Sequence, residues 1–382
     1  MIVPFASRPS PKLVFGAGAL NDLPAYVREV GGLAVYLVSD RGIARTGYVD
    51  RARGLLKAAG IPVSCFTDAR ENPTETDAAT CRDQALGNPF DCLVALGGGS
   101  SLDTARACNF LLSNGGAMRD YHGYGKAAKP MLPMIAIPTT AGTGSETQSY
   151  ALISRDDTHE KMACGDPKAR ARIAILDPDL TATLPRSTAI LSGLDALSHA
   201  LESAVCTKRN AVSSIYSEAA FRHLAGAVSR IFAGQGTADD RGHMQLGAAF
   251  AGLAIENSML GGAHASANPL TARHGVVHGH AVSHMLPHVM RYNSADAGAG
   301  AIYARYAELL RESGESSVPL IEWVSGIVKQ CALPALDGST MDLALLAEDA
   351  TRQWTGKFNP RPLQAAEFLS LYRRAFDPHV SA

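Results

Sequence analysis

The sequence of 382 residues is short of several things, and each shortage excludes a class of function. It has no excess of charge of either sign: 35 Lys and Arg stand against 36 Asp and Glu, for a formal net charge of −1. Without a global field the chain suits neither nucleic acid nor an anionic membrane surface, and neither is expected as a partner. No apolar run approaches the ~20 residues of a membrane span. The stretch 1–18 lacks an apolar core segment, being interrupted by Pro4, Arg8, Pro9, Pro11 and Lys12, so it does not read as a signal peptide. The seven cysteines, at 65, 81, 92, 108, 164, 206 and 331, are odd in number and never spaced C-x-x-C. That excludes a disulfide scaffold or a zinc ribbon and leads us to expect reduced thiols in a cytoplasmic protein.

What is present is apolar and globular. Hydrophobic residues are 46% of the chain and charged residues 19%, enough to build sizeable cores. The length suits about two domains. In the first half, short apolar runs at 33–38, 91–96, 134–137 and 173–176 alternate with amphipathic stretches such as 49–59 and 75–86. The runs have the length and composition of buried strands and end in turn residues, and 11–16 is expected to add an edge strand. Strands alternating with helices predict a parallel sheet covered on both faces. After Pro185 the texture changes to long Ala-, Leu- and Ser-rich helical patterns over 188–205, 211–232, 241–260, 276–292, 301–313, 317–330 and 343–354. The expected organisation is an α/β domain over 1–185 and an all-helical domain over 186–382.

Two loops in the first half carry chemistry. GGGSSLD at 97–103 follows one expected strand and opens a helix. Gly97, Gly98 and Gly99 let backbone approach a ligand, and the helix start that carries Ser100 and Asp103 offers unpaired N–H groups and partial positive charge, which suits a pyrophosphate. The pattern is not the G-x-G-x-x-G fingerprint, and a tight turn that binds nothing is the plainer alternative. PTTAGTGSE at 138–146 gathers the hydroxyls of Thr139, Thr140, Thr143 and Ser145 with two glycines, again after a strand. Two such loops at strand ends of one sheet lie where open α/β sheets bind ligands. Asp40 ends another strand, where a carboxylate accepts from a ribose 2′-hydroxyl and repels a 2′-phosphate, favouring NAD over NADP. Arg41 beside it would soften that preference, and a helix-capping role for Asp40 is the alternative.

The second half is rich in histidine. Asp195 and His199 are four apart and share one helix face. The segment 262–290 adds His264, His274, His278, His280, His284 and His288. A carboxylate with several imidazoles suits Fe²⁺ or Zn²⁺ and suits Mg²⁺ or Ca²⁺ poorly. Any one of these histidines alone reads equally as a core or surface residue. Pro269 and Gly275 are expected to break the segment, so spacing does not choose among the later histidines.

Taken in order, GGGSSLDTAR (97–106), PTTAGTGSE (138–146), KMACGDPKARARIAILDPDLT (161–181), GLDALSHALES (193–203) and HGHAVSHMLPHVMRYN (278–293) resemble the iron-dependent, group III, alcohol dehydrogenases. The resemblance covers nearly the whole chain. It implies a Rossmann-like dinucleotide-binding α/β domain followed by an all-α domain, a dehydroquinate synthase-like architecture. It implies a metal held by Asp195, His199, His264 and His278, with Fe²⁺ expected and Zn²⁺ the alternative. It implies a pyrophosphate on the GGGS loop, nicotinamide and ribose contacts from Thr139, Thr140, Thr143 and Ser145, and a polar contact from Lys161. The implied activity is reversible hydride transfer between NAD, or alternatively NADP, and a small alcohol or aldehyde, in a homodimer or larger homo-oligomer.

Two residues depart from the family pattern. Asn268 stands where many members carry a proton-relaying histidine, so His274 or His280, or ribose and water, would have to serve. Arg106 replaces the usual lysine and remains cationic. Asn268, His274, His280, Gln148 and Tyr150 add polar groups that favour a small polar or anionic aldehyde. The rival readings are a zinc-dependent glycerol-dehydrogenase-like or dehydroquinate-synthase-like enzyme, and an NAD-binding protein without catalysis.

Overall fold

The computed structural model describes residues 4–377. The strands are β1 (Lys12–Phe15), β2 (Val35–Val38), β3 (Val63–Phe66), β4 (Cys92–Gly97), β5 (Gly123–Tyr124), β6 (Met134–Pro138), β7 (Tyr150–Ser154), β8 (Lys161–Gly165) and β9 (Ile173–Leu176). The helices before the last strand are α1 (Leu23–Glu29), α2 (Arg41–Arg45), α3 (Tyr48–Ala58), α4 (Glu75–Ala85) and α5 (Gly99–Asn114). Beyond it come α6 (Arg186–Val205), α7 (Ala211–Phe232), α8 (Ala238–Glu256), α9 (Gly262–His274), α10 (His278–Asn293), α11 (Ala297–Glu312), α12 (Leu320–Gln330), α13 (Leu343–Arg352) and α14 (Ala365–Phe376).

Six strands form one sheet in the order β1-β9-β6-β4-β2-β3, all parallel. The central strands β2, β4, β6 and β9 are buried along their whole length, which is why they read as continuous apolar runs. Separate apolar clusters cover the two faces: Leu37, Val94, Ile135 and Ile175 pack with Leu20, Leu23 and Leu56, while Tyr36, Leu93, Ala95 and Ala136 pack with Leu102 and Cys108. From β2 the chain crosses to β3 on one side, and from β4 it crosses to β6 on the other. The carboxyl ends of β2 and β4 therefore flank the switch point at which open sheets bind ligands.

A smaller sheet, β5-β8-β7, was not expected from the sequence. Its strands are short and carry Gly, Ser or Lys, and β3 is short with a serine inside it, so they lack the continuous apolar signal of the central strands. The helical patterns of the second half form helices close to their expected bounds, and no strand follows β9 among the described residues. Pro269 does not break its segment: α9 runs through it and ends at Gly275, whose φ of 65° suits glycine. Pro269 is buried, and packing of the flanking helix compensates for one missing N–H.

The chain falls into two units. One is Pro9–Leu184, and the other runs from Pro185 and includes the N-terminal segment ending at Arg8. The Arg8 amide donates to Asn257 Oδ1 at 2.9 Å, and its guanidinium pairs with Glu256 at 3.2 Å. Cutting the chain at 185/186 assigns that segment to the first unit, whereas its contacts lie in the second. Among the described residues no helix is long and apolar enough to cross a membrane.

Candidate metal centre and nucleotide site

Helix α6 sets three residues on one face: Asp195, His199 and Glu202, at intervals of four and three. All three are buried. Helix α9 brings His264 onto them, its ring stacked on that of His199 at 4.8 Å between centroids. The start of α9 has no side-chain cap of its own. Glu202 supplies one from α6: its Oε1 accepts from the Ala263 amide at 2.7 Å and its Oε2 from the His264 amide at 3.3 Å. A carboxylate is favoured at such a helix start by both the orphan amides and the dipole.

Glu202 Oε2 also bonds His264 Nδ1 at 2.5 Å. This fixes the ring with Nδ1–H outward and Nε2 aimed at Asp195. Helix α10 delivers His278 from its first turn. A Cβ on Gly279 would lie 2.2 Å from the Leu191 carbonyl, so only glycine lets α10 approach α6 closely enough to place His278 there.

The three imidazoles converge on one oxygen. Nε2 of His199, His264 and His278 lie 3.3, 3.4 and 3.8 Å from Asp195 Oδ1. Asp195 Oδ1 and His264 Nε2 are both buried and neither has a hydrogen-bond partner. Atoms held about 2.1 Å from a common tetrahedral centre stand about 3.4 Å apart, so these spacings fit ligands around one divalent ion. The donor atoms of Asp195, His199 and His264 all lie within 4.8 Å of one another, while His278, partly exposed, closes the set from the rim.

The charges agree. Burial alone would push the Asp195 carboxyl up, but His199, His264 and His278 outweigh it and hold it well below the carboxylate range. Burial would push His264 down, but Asp195 and Glu202 together raise it to about 9. Two buried carboxylates facing imidazoles call for a cation, which a proton supplies or a metal supplies better.

The structure does not bring His274 or His280 to this cluster. His274 is exposed at the end of α9, ten residues and thus roughly 15 Å along the axis from His264. His280 follows His278 by two residues, a rotation of about 200° around α10. It lies instead with His284 and His288 on another face, where burial pushes it down. Asn268 lies one turn beyond His264 and donates from Nδ2 to Gln353 Oε1 at 3.0 Å.

In the α/β unit the residues of the two candidate nucleotide loops form one connected surface at the carboxyl ends of β2, β4 and β6. Helix α5 starts at Gly98 with no side-chain cap, leaving its first amides for an anion. A Cβ on Gly97 would sit 2.5 Å from Ser101 Oγ, one on Gly98 3.3 Å from Thr140, and one on Gly99 2.7 Å from Thr143. The two loops thus close on each other around bare backbone. Thr139 continues β6, its amide bonded to the Gly97 carbonyl at 3.0 Å, and its buried hydroxyl has no partner.

Asp40 takes the capping role weighed for it, and its second oxygen is held by the glycine loop. Oδ1 caps α2 by accepting from the Ile43 amide at 2.9 Å, and Oδ2 accepts from Ser101 Oγ at 2.8 Å beside the glycine loop. Arg41 turns to Asp68, at 2.5 Å, which occupies the cation that would favour a 2′-phosphate. Asn72, which the sequence analysis missed, joins Ser100 to Lys161. Its amide donates to Ser100 Oγ at 3.4 Å, and its Oδ1 accepts from Lys161 Nζ at 3.1 Å.

Asp103 and Ser145 lie beneath this surface with Arg106. The fully buried guanidinium donates to Asp103 Oδ1 and Ser145 Oγ, both at 3.1 Å, to the Ser145 carbonyl at 2.8 Å and to the Tyr150 carbonyl at 2.5 Å. Ser145 Oγ donates to Asp103 Oδ1 at 2.8 Å. These groups hold the loop in place. Glu202 was also missed, although its position seven after Asp195 on the same helix face was a usable signal.

Comparison with known proteins shows the same division. Residues 10–178 match the model of iron-containing alcohol dehydrogenases, and residues 189–376 match that of the C-terminal domain of the Fe-containing alcohol dehydrogenase family. The chain is 30% identical to the NAD-dependent methanol dehydrogenase of Bacillus methanolicus over 375 residues, covering 96% of this chain and 98% of the relative. A 1,3-propanediol oxidoreductase structure superposes with a TM-score of 0.91 at 27% identity, covering 98% of this chain and 100% of that one. The sulfoacetaldehyde reductase of Bifidobacterium kashiwanohense in complex with NAD⁺ superposes with a TM-score of 0.85 at 25% identity, covering 99% of each chain.

Proposed function

The chain belongs to the iron-containing alcohol dehydrogenase family, and on that premise we propose that it transfers hydride reversibly between NAD and a small polar or anionic alcohol or aldehyde. Asp195, His199, His264 and His278 hold the divalent ion. The observation that carries this is the convergence of three imidazole nitrogens on a buried, unpartnered Asp195 Oδ1.

When bound, the ion supplies a Lewis acid for the substrate oxygen and NAD supplies the hydride acceptor or donor. The protein's own groups do the rest. Glu202 keeps the proton of His264 on Nδ1 and so leaves Nε2 able to ligate. The first amides of α5 and the bare backbone at Gly97, Gly98 and Gly99 hold the pyrophosphate, with Ser100 at the helix start. Thr139, Thr140 and Thr143 line the facing loop, Asn72 steadies Lys161 beside it, and Arg106 with Asp103 fixes Ser145. Asp40 at the switch point favours NAD over NADP. Asn268 cannot exchange a proton, and its amide is already tied to Gln353, so neither it nor the distant His274 and His280 would relay a proton from the metal site.

A polar or anionic substrate is supported by the likeness to a propanediol oxidoreductase and a sulfoacetaldehyde reductase, and by the polar Asn268–Gln353 pair one turn from His264. We further propose that the enzyme works in the cytoplasm as a homo-oligomer. The test is anaerobic purification, elemental analysis, and removal and restoration of Fe²⁺ and Zn²⁺ while NADH absorbance is followed with short alcohols and aldehydes. Near one metal per chain, with turnover that returns on restoration, is the expected result. Bound zinc without net NADH change would overturn it in favour of a lyase. Preference for simple alkanals over hydroxylated or acidic aldehydes would remove the substrate assignment.

A further inference from the structure

A cavity of about 380 Å³ lies between α10 and α14 and shares no residue with the metal or nucleotide sites. Three arginines line it: Arg291 from α10, Arg374 from α14 and Arg361 from the connection before α14. Arg361 is fixed. Its guanidinium carbon stands 3.9 Å over the Tyr292 ring, and one of its nitrogens donates to the Tyr292 carbonyl at 2.5 Å. The Tyr292 hydroxyl donates to the Pro362 carbonyl at 2.7 Å, which closes a rigid corner.

No ion pair joins any of the three guanidinium groups to a carboxylate among the described residues. The cavity does hold one acid, Glu367, but its Oε2 accepts from the Gln364 amide at 2.9 Å and caps α14. The local balance of three cations and one carboxylate is a net charge of +2. Arg291 and Arg374 lie in the last turns of α10 and α14, where a cation complements the helix dipole. That accounts for two arginines taken singly. It accounts neither for Arg361, which lies outside any helix, nor for the convergence of all three on one cavity. Three cations facing a single carboxylate leave an excess of like charge that repels, and an anion between them removes the cost.

We propose that this cavity binds a small phosphate-bearing anion at a site separate from catalysis. Arg361 presents a preorganised planar fork, Arg291 and Arg374 close on the anion from the two helices, and the Ser370 hydroxyl at the rim adds a donor. Arginine suits phosphate because its paired N–H groups match two oxygens at once.

The test is calorimetric titration of the metal-loaded enzyme with inorganic phosphate, then pyrophosphate, at low salt. Saturating NAD keeps both probes off the glycine loop. One phosphate per chain is expected, with affinity falling as salt rises. Arg291→Gln and Arg374→Gln, both at exposed positions that leave the fold alone, should each weaken binding about tenfold or more, and the double variant should abolish it. Turnover of the variants without phosphate should match the parent. Uptake of no phosphate by the NAD-saturated parent, or equal affinity in the variants, would overturn the proposal. Because the readout is binding at a site free of metal and NAD, this failure is distinguishable from failure of the dehydrogenase reading.

Discussion

Each unit of this protein buries a cluster of charges near its candidate site, and the two clusters end differently. In the α/β unit, Arg106, Asp103 and Ser145 satisfy one another and the surrounding carbonyls. In the helical unit, Asp195 and His264 face each other at 3.4 Å without a hydrogen bond, and each retains an unpartnered buried atom. Burial of a polar group is tolerated when its partners are supplied, and an open cluster invites a ligand to supply them. The closed cluster is built as a scaffold, and the open one is the site proposed for the metal. The difference does not come from composition, since both contain a carboxylate and basic side chains. It comes from whether backbone carbonyls and hydroxyls reach the charges.

The comparison breaks most sharply at the open cluster. Asp195→Asn or His264→Ala should remove bound metal and lower turnover by about a thousandfold or more, while NAD binding, read by fluorescence titration, stays within about threefold. Retained metal and turnover would refute the ligand assignment. At the closed cluster the expected loss is of stability. Arg106→Leu leaves Asp103 buried without its cation and should cost about 3–5 kcal/mol in urea unfolding. Metal content of the folded fraction should not change.

Glu202 tests the boundary between scaffold and site, because it caps α9 and orients His264 at once. Glu202→Gln keeps one accepting oxygen, enough for the His264 amide and Nδ1–H, but turns an NH2 toward the Ala263 amide and lacks the charge, and metal affinity should fall about 10–100-fold. An unchanged affinity would make Glu202 a helix cap and nothing more.

The smallest expected effect is one of pH. With the metal stripped, His264 is raised from 6.5 to about 9 by Asp195 and Glu202 acting against burial. A raised histidine contributes stability that is fully present below about 6.5 and is lost as pH rises to about 9. Asp195 is lowered, so its contribution persists at neutral pH and is lost only in acid. Metal-stripped protein should therefore melt at falling temperature from pH 6.5 to 9, the window set by His264, while metal-loaded protein should change less. Equal slopes for the two would mean that ion and proton do not compete for the same place.

Much of this was legible in the residues. The central strands are continuous apolar runs because both faces of a parallel sheet are covered, and their bounds were readable to within about two residues. The same logic failed for β3, β5, β7 and β8, which are short and interrupted by polar residues or glycine, although β7 and β8 are largely buried. Pro269 was read as a breaker, yet a buried helix carries it. The glycine and threonine loops were visible as two motifs. That they form one surface, with Gly98 against Thr140 and Gly99 against Thr143, was not. Lys161 was placed only through a family pattern, since nothing local ties β8 to Asn72.

The sequence by itself determined the division into an α/β and a helical half, the glycine-rich helix start at Gly98, and the pairing of Asp195 with His199 four residues on. These are local facts, set by periodicity and spacing. Only the tertiary structure decided which of six later histidines join that pair. Helical phase sends His278 toward α6 and His280 away, and the bare backbone of Gly279 lets α10 come close enough for the difference to count.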